Sequence, residues 1–190
     1  YSRGNSAKQW IFCEVDDMTR QNPSLRVLDL ACGDGSQWIT FFETHPQVSY
    51  LGVDTDRNAI AKAKDREANT SHRQFSVFDA QQSLNDSAFD VVTALSAVEH
   101  VVDREAFLQT VWQALVPGGK AYLNYDVGHF RSTHLQERLM VPVSQMLAWL
   151  GFQSSYMKRV DDAELEQIAE RLGFRIIALR KHNLFPLKKF

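Results

Sequence analysis

The chain is poor in several features that would narrow its role at once. It holds only two cysteines, Cys13 and Cys32, in 190 residues. They form no CxxC pair, and two thiols supply neither a disulfide framework nor a metal-ligand set. No metal is therefore expected, and a reducing, cytoplasmic setting fits the composition. Basic charge is not in excess: the net charge is −2 and the pI about 6.3. A nucleic acid or an anionic membrane as main partner would favour a basic surface, so neither is expected. No apolar run is long enough to cross a bilayer, and no stretch reads as a signal peptide. Internal repeats and low-complexity tracts are missing too. The chain opens on Tyr1 rather than Met, which leaves a longer parent protein open.

What the sequence does have is alternation. Apolar clusters alternate with amphipathic stretches, the pattern of βα units around a mainly parallel sheet. Ile11, Val15 and Met18 predict a helix over 6–20, broken by Asn22-Pro23. Arg26–Leu30 reads as a short buried strand, Gly35–Thr44 as a helix, Val48–Val53 as a second strand and Asp56–Asn69 as a helix poor in large apolar residues. Arg73–Phe78 and Phe89–Ala94 read as the third and fourth strands. Phe107, Leu108, Val111 and Leu115 predict a helix over 104–115, which Pro117-Gly118-Gly119 ends before a fifth strand, Lys120–Tyr125. Apolar residues between Leu135 and Leu150 recur at helical spacing around Pro142, which predicts two short helices or one kinked helix. Leu165, Ile168, Ala169 and Leu172 predict a helix over 162–172 with Gly173 as its stop. Arg175–Arg180 is expected as a sixth strand, and 184–190 as an incomplete last antiparallel strand weakened by Pro186. The expected architecture is one α/β domain over 1–190, a doubly wound sheet with a helical lid at 132–157 inserted after the fifth strand.

The most informative segment runs from Val27 to Asp54. Val27-Leu28-Asp29-Leu30-Ala31-Cys32-Gly33-Asp34-Gly35-Ser36 is a strand, a tight glycine loop and a helix start. Such a loop lets a ligand approach the backbone, and the helix start adds unpaired N–H groups for its polar end. Asp54 follows the second strand, where a carboxylate can accept hydrogen bonds from both ribose hydroxyls. Two cofactor classes use this arrangement. A dinucleotide fingerprint needs G-x-G-x-x-G, but Ala31 and Ser36 stand where its first and third glycines belong. This weakens a nicotinamide cofactor and leaves it open.

The segment resembles motif I of the class I S-adenosylmethionine-dependent methyltransferases. The resemblance covers roughly residues 25–125 and recurs in order: Val53-Asp54 is similar to the ribose-binding acid, Phe78-Asp79-Ala80 to the adenine-binding motif, Leu95–Val101 to the segment after strand four, and Leu115-Val116-Pro117-Gly118-Gly119 to the turn before strand five. Ala31 departs from it, since many members carry glycine there. The resemblance implies S-adenosylmethionine as cofactor and S-adenosylhomocysteine as product, with Asp29, Ala31, Gly33, Gly35, Asp54, Thr55, Asp79, Ala80 and Ser96 around it. Cys32 reads as a small residue beside the cofactor rather than a nucleophile.

The acceptor is less legible. After strand four the chain reads Leu95-Ser96-Ala97-Val98, without the Asn/Asp-Pro-Pro-Tyr/Phe motif of enzymes that methylate amino groups of nucleic acids. With mild acidity and an apolar lid rich in Met, Trp and Tyr, a small organic acceptor is the expectation, methylated on oxygen ahead of nitrogen or carbon. A carrier-tethered acceptor is the variant of that reading if the domain is excised from a larger protein. Tyr125, Asp126, His129 and Tyr156 are the candidate substrate contacts. His129 and His100 are the candidate bases, since a histidine titrates near neutrality and can take a proton from a hydroxyl or amine. Two rivals stand beside this reading: a nicotinamide-dependent oxidoreductase, and a module that binds S-adenosylmethionine without transferring its methyl.

Overall fold

A computed structural model describes residues 6–67, 71–82, 88–125, 143, 146 and 160–181. It shows five parallel strands: β1 (Arg26–Leu30), β2 (Ser49–Asp54), β3 (Arg73–Val77), β4 (Phe89–Leu95) and β5 (Leu115–Asn124). Their order across the sheet is β3-β2-β1-β4-β5. The helices are α1 (Ser6–Gln21), α2 (Ile39–Thr44), α3 (Arg57–Arg66), α4 (Arg104–Ala114) and α5 (Asp162–Leu172), with 3-10 turns at Ser36–Trp38 and Val98–His100.

Side-chain alternation along the strands sorts the core into two layers. Val27, Val91 and Leu95 face Ile11, Phe12, Trp38, Phe41, Phe42 and Ile60, from α1, α2, α3 and the turn before α2. Leu28, Leu30, Val92 and Ala94 face Phe107, Leu108, Val111, Leu165 and Ile168, from α4 and α5. Helices thus cover both faces, which is why β1 and β4 carry apolar residues on both sides rather than a strict apolar–polar alternation. Aspartates cap the helices over this sheet: Asp56 accepts from Asn58 N at 2.8 Å, Asp103 from Ala106 N at 2.9 Å and Asp161 from Ala163 N at 3.0 Å.

Two expectations differ from the structure. The fifth strand begins at Leu115, not Lys120, because Pro117-Gly118-Gly119 is absorbed as an irregularity between the pairs Phe89↔Leu115 and Val91↔Lys120. Gly118 takes φ +82°, and a Cβ on Gly119 would stand 3.1 Å from the Asp90 carbonyl, so glycines permit the bulge. Residues 175–180 form no strand. An apolar run becomes a strand only with a ladder partner, and among the described residues nothing pairs with it; Ile177 is 71% exposed. Residues 184–190 and nearly all of the predicted lid at 132–157 lie outside the described residues.

Candidate functional site

Chain order reverses between β1 and β4, and in open α/β sheets the crevice at that switch lies beyond the strands' carboxyl ends. All five strands point the same way. The sheet therefore gathers the residues after β1 (Ala31, Gly33, Gly35), after β2 (Asp54, Thr55), after β3 (Asp79, Ala80), after β4 (Ser96, His100) and after β5 (Tyr125) at one end.

The loop after β1 is left-handed at every second residue: Ala31 at φ 57°, Gly33 at 59° and Gly35 at 68°. Ala31 adopts the glycine conformation although it is not glycine, so the departure from the motif is one of residue type and not of shape. The other left-handed non-glycine residue among those described is Ser96, at φ 63°, just past β4 on the adjacent strand. Left-handed backbone costs a side-chain-bearing residue about 1–2 kcal/mol, and such strain gathers at functional sites. A Cβ on Gly33 would meet nothing within 4 Å, whereas one on Gly35 would stand 2.7 Å from the Phe75 ring. Gly33 opens onto free space; Gly35 is fixed by packing.

Asp54 clasps this loop. Its Oδ2 accepts from Gly33 N at 2.7 Å and its Oδ1 from Asp56 N at 2.8 Å, and it is only half-buried. Each oxygen keeps a lone pair for a further donor. Thr55 is exposed beside it. Asp79 is held through one oxygen: Oδ1 accepts from Gln81 N at 2.9 Å and Gln81 Nε2 at 3.3 Å, while Gln81 Oε1 accepts from Asp103 N, at the cap of α4, at 2.8 Å. Ala80 lies half-buried between them.

Asp29 is placed differently. It is 1% exposed, on the aromatic face of the sheet. Thr93 Oγ1 donates to its Oδ1 at 2.6 Å, and Trp38 Nε1 and Tyr50 Oη donate to its Oδ2 at 2.9 and 3.0 Å. Burial pushes its carboxyl up to about 6, opposed by those three hydrogen bonds. Sequence reading missed Trp38, Tyr50 and Thr93 as its partners. The available signal was Trp38, whose indole N–H needs an acceptor once buried.

Ser96 N donates to Asn124 O at 2.9 Å, and Ser96 Oγ to Asn124 Oδ1 at 3.3 Å, which ties the end of β4 to that of β5. His100 is exposed and closes the turn after β4, its N–H bonded to Ala97 O. The Tyr125 hydroxyl donates to Asp162 Oδ1 at 2.6 Å, at the start of α5; burial, then this bond, raises its pKa. Asp126, His129 and Tyr156 lie outside the described residues.

Comparison with known proteins agrees with this geometry. A methyltransferase-domain family model matches residues 28–121, the stretch from β1 into β5. Over that stretch the chain is a methyltransferase domain of the class I S-adenosylmethionine-dependent type. It is 27% identical to the trans-aconitate 2-methyltransferase of Deinococcus radiodurans over 121 residues, 64% of this chain and 45% of that one. It is 28% identical to the ubiquinone biosynthesis O-methyltransferase of Idiomarina loihiensis over 170 residues, 87% of this chain and 68% of that one. The chain thus spans about half to two thirds of the length of these relatives. Its fold matches phosphoethanolamine N-methyltransferase 2 of Haemonchus contortus, solved with S-adenosyl-L-methionine, at TM-score 0.62 and 22% identity, covering 88% of this chain and 40% of that one. The methyltransferase match from β1 into β5 sets aside the nicotinamide reading that the glycine loop alone had left open.

Proposed function

We propose that the crevice binds S-adenosylmethionine and that the domain transfers its methyl group to a small organic acceptor, at oxygen ahead of nitrogen or carbon. The observation that carries the reading is the Asp54 clasp. One carboxylate fixes the strained loop through Gly33 N and presents its remaining lone pairs where a ribose diol would lie. The open side of Gly33 supports it, since a ligand can approach the backbone there. Asp79 supports it as well: Gln81 holds one carboxylate oxygen and leaves the other for an exocyclic amine.

When bound, the sulfonium supplies an already electrophilic methyl carbon. The chain's own task is to position, align and exclude water. Asp54 would accept from the ribose hydroxyls and Asp79 from the adenine amine, with the open backbone at Gly33 as the face the cofactor would approach. His100, exposed beyond β4, is the described candidate to take a proton from an acceptor hydroxyl. The preference for oxygen draws support from the ubiquinone relative, an O-methyltransferase by name. The two free thiols support a reducing, cytoplasmic setting.

Calorimetry with S-adenosylhomocysteine and NAD tests the cofactor half. S-adenosylhomocysteine should bind, and Asp54→Ala should weaken it by about 1–3 kcal/mol, the cost of leaving ribose hydroxyls unpaired. Binding of NAD alone would overturn the reading. A panel of hydroxyl, carboxyl and amine acceptors tests the rest: tight cofactor binding with no methyl transfer to any of them would identify a binding module instead.

A further inference from the structure

Asp79 is held from a direction that its own loop does not supply. The backbone N–H of Gln81 donates to its Oδ1 at 2.9 Å, a local bond within the turn after β3. The Gln81 side chain adds a second bond to the same oxygen, from Nε2 at 3.3 Å. Its Oε1 accepts from Asp103 N, the cap residue of α4, at 2.8 Å. One carboxamide therefore joins the end of β3 to the start of α4. The other Asp79 oxygen, Oδ2, has no hydrogen bond among the described residues.

Chemistry fixes both the residue type and its orientation. The N–H of a helix cap needs an acceptor, which a Glu or Gln in the third helical position often provides. In α4 that position is Ala106, which has none to offer. Gln81 supplies the missing acceptor from outside the helix. Its Oε1 must then face Asp103, and its Nε2 must face Asp79; turned over, the amide would set oxygen against carboxylate and N–H against N–H. A glutamate could serve the helix but would repel Asp79. The bridge needs a side chain that donates and accepts at once. The same loop is docked on α4 a second time: Thr110, 1% exposed, donates through Oγ1 to Gln82 O at 2.8 Å.

A carboxylate held at one oxygen from two directions keeps a fixed aim for the other. We infer that Gln81 is a positioning residue that sets the base selectivity of the site: by bridging Asp103 to Asp79, it aims the free Asp79 oxygen so that a purine amine is accepted and a carbonyl in its place is refused. The inference rests on the cofactor reading above and adds a residue that the resemblance did not supply. Gln81 acts through Asp79 and not by contact with the ligand. A carboxylate accepts from an N–H and has nothing to offer a carbonyl oxygen, so 6-amino and 6-oxo purines are told apart only while that oxygen is held in line.

S-adenosylhomocysteine and S-inosylhomocysteine differ only at the purine six-position, amine against carbonyl, and at the N1 proton that goes with it. Calorimetric titration of the unaltered protein should favour the amine by about tenfold or more, the worth of a hydrogen bond to a charged group. Gln81→Met should cut that preference to about threefold or less, mostly by weakening S-adenosylhomocysteine. Gln81→Glu, which keeps an acceptor for Asp103 N, should cut it as well. In an Asp79→Ala background neither change should alter the preference further. An undiminished preference in Gln81→Met would overturn the inference. So would an equal loss for both ligands, or a loss that Gln81→Glu restores in full; either would leave Gln81 as a helix cap alone. If Gln81→Met does not fold, Gln81→Glu decides. Equal binding of the two ligands by the unaltered protein would overturn it too. Failure of the cofactor reading looks different: the unaltered protein would then bind neither ligand.

Discussion

The floor and the lip of the crevice each hold an aspartate near the end of a central strand. On the floor, Asp29 on β1 is fully buried and takes its hydrogen bonds from side chains, Thr93, Trp38 and Tyr50. On the lip, Asp54 at the end of β2 is half-buried and takes its bonds from backbone N–H groups of Gly33 and Asp56. Side-chain donors gather aromatic rings around a charge and fix the core. Backbone donors hold a loop and leave lone pairs facing outward. The same residue type on neighbouring strands thus fixes the core in one place and holds a loop, with lone pairs to spare, in the other, and depth decides which.

The largest effect should come from the floor. Asp29→Ala leaves the Trp38, Tyr50 and Thr93 donors buried and unpaired, and should lower unfolding free energy in urea by about 3–5 kcal/mol. Asp54→Ala should cost no more than about 1 kcal/mol of stability in the same assay and act on ligand affinity instead. Equal losses would erase the distinction between the two regions.

A pH series sharpens it. The folded Asp29 carboxyl titrates at about 6 and its reference value is 3.8, so the folded state binds more protons between them. Its contribution to stability is complete below about pH 4 and is lost as the pH rises to about 6, a change of up to about 3 kcal/mol. Asp29→Asn should remove that slope from the difference between the two stability curves. Identical slopes from pH 4 to 6 would show that Asp29 does not titrate as its burial requires.

The smallest effect concerns strain at the lip. Ala31 is exposed and left-handed, so Ala31→Gly should raise stability by about 0.5–1 kcal/mol, or a few degrees in Tm. Ala-to-Gly changes in helices do the opposite. A fall in Tm for Ala31→Gly would mean that the loop is not strained.

Much of this was legible in sequence because strand and loop signals are local. Val27–Leu30 announces a buried strand, and Gly33, Gly35 and Asp54 announce a crevice at its end. Ala31 misled by residue type: the missing glycine weakened a motif whose backbone shape is intact. The hydrogen-bond partners of Asp29 were not legible, because Thr93, which lies 64 residues away, and Tyr50 meet it only once the strands pair. Arg175–Arg180 shows the converse limit, since alternation describes a strand only when a neighbour supplies the ladder.

Cys32 is the buried thiol of the chain's two cysteines. Its sulfur lies within the glycine loop, 2.9 Å from where a Cβ on Gly52 would stand, so the small residue on β2 makes room for it. Burial first, then the charges of Asp29 and Asp54, push the thiol far above its usual range. In the proposed reading, a loop that holds an alkylating agent thus carries its own sulfur as the less nucleophilic thiol. Burial above all, with those carboxylates behind it, keeps the sulfur in its proton-bearing form.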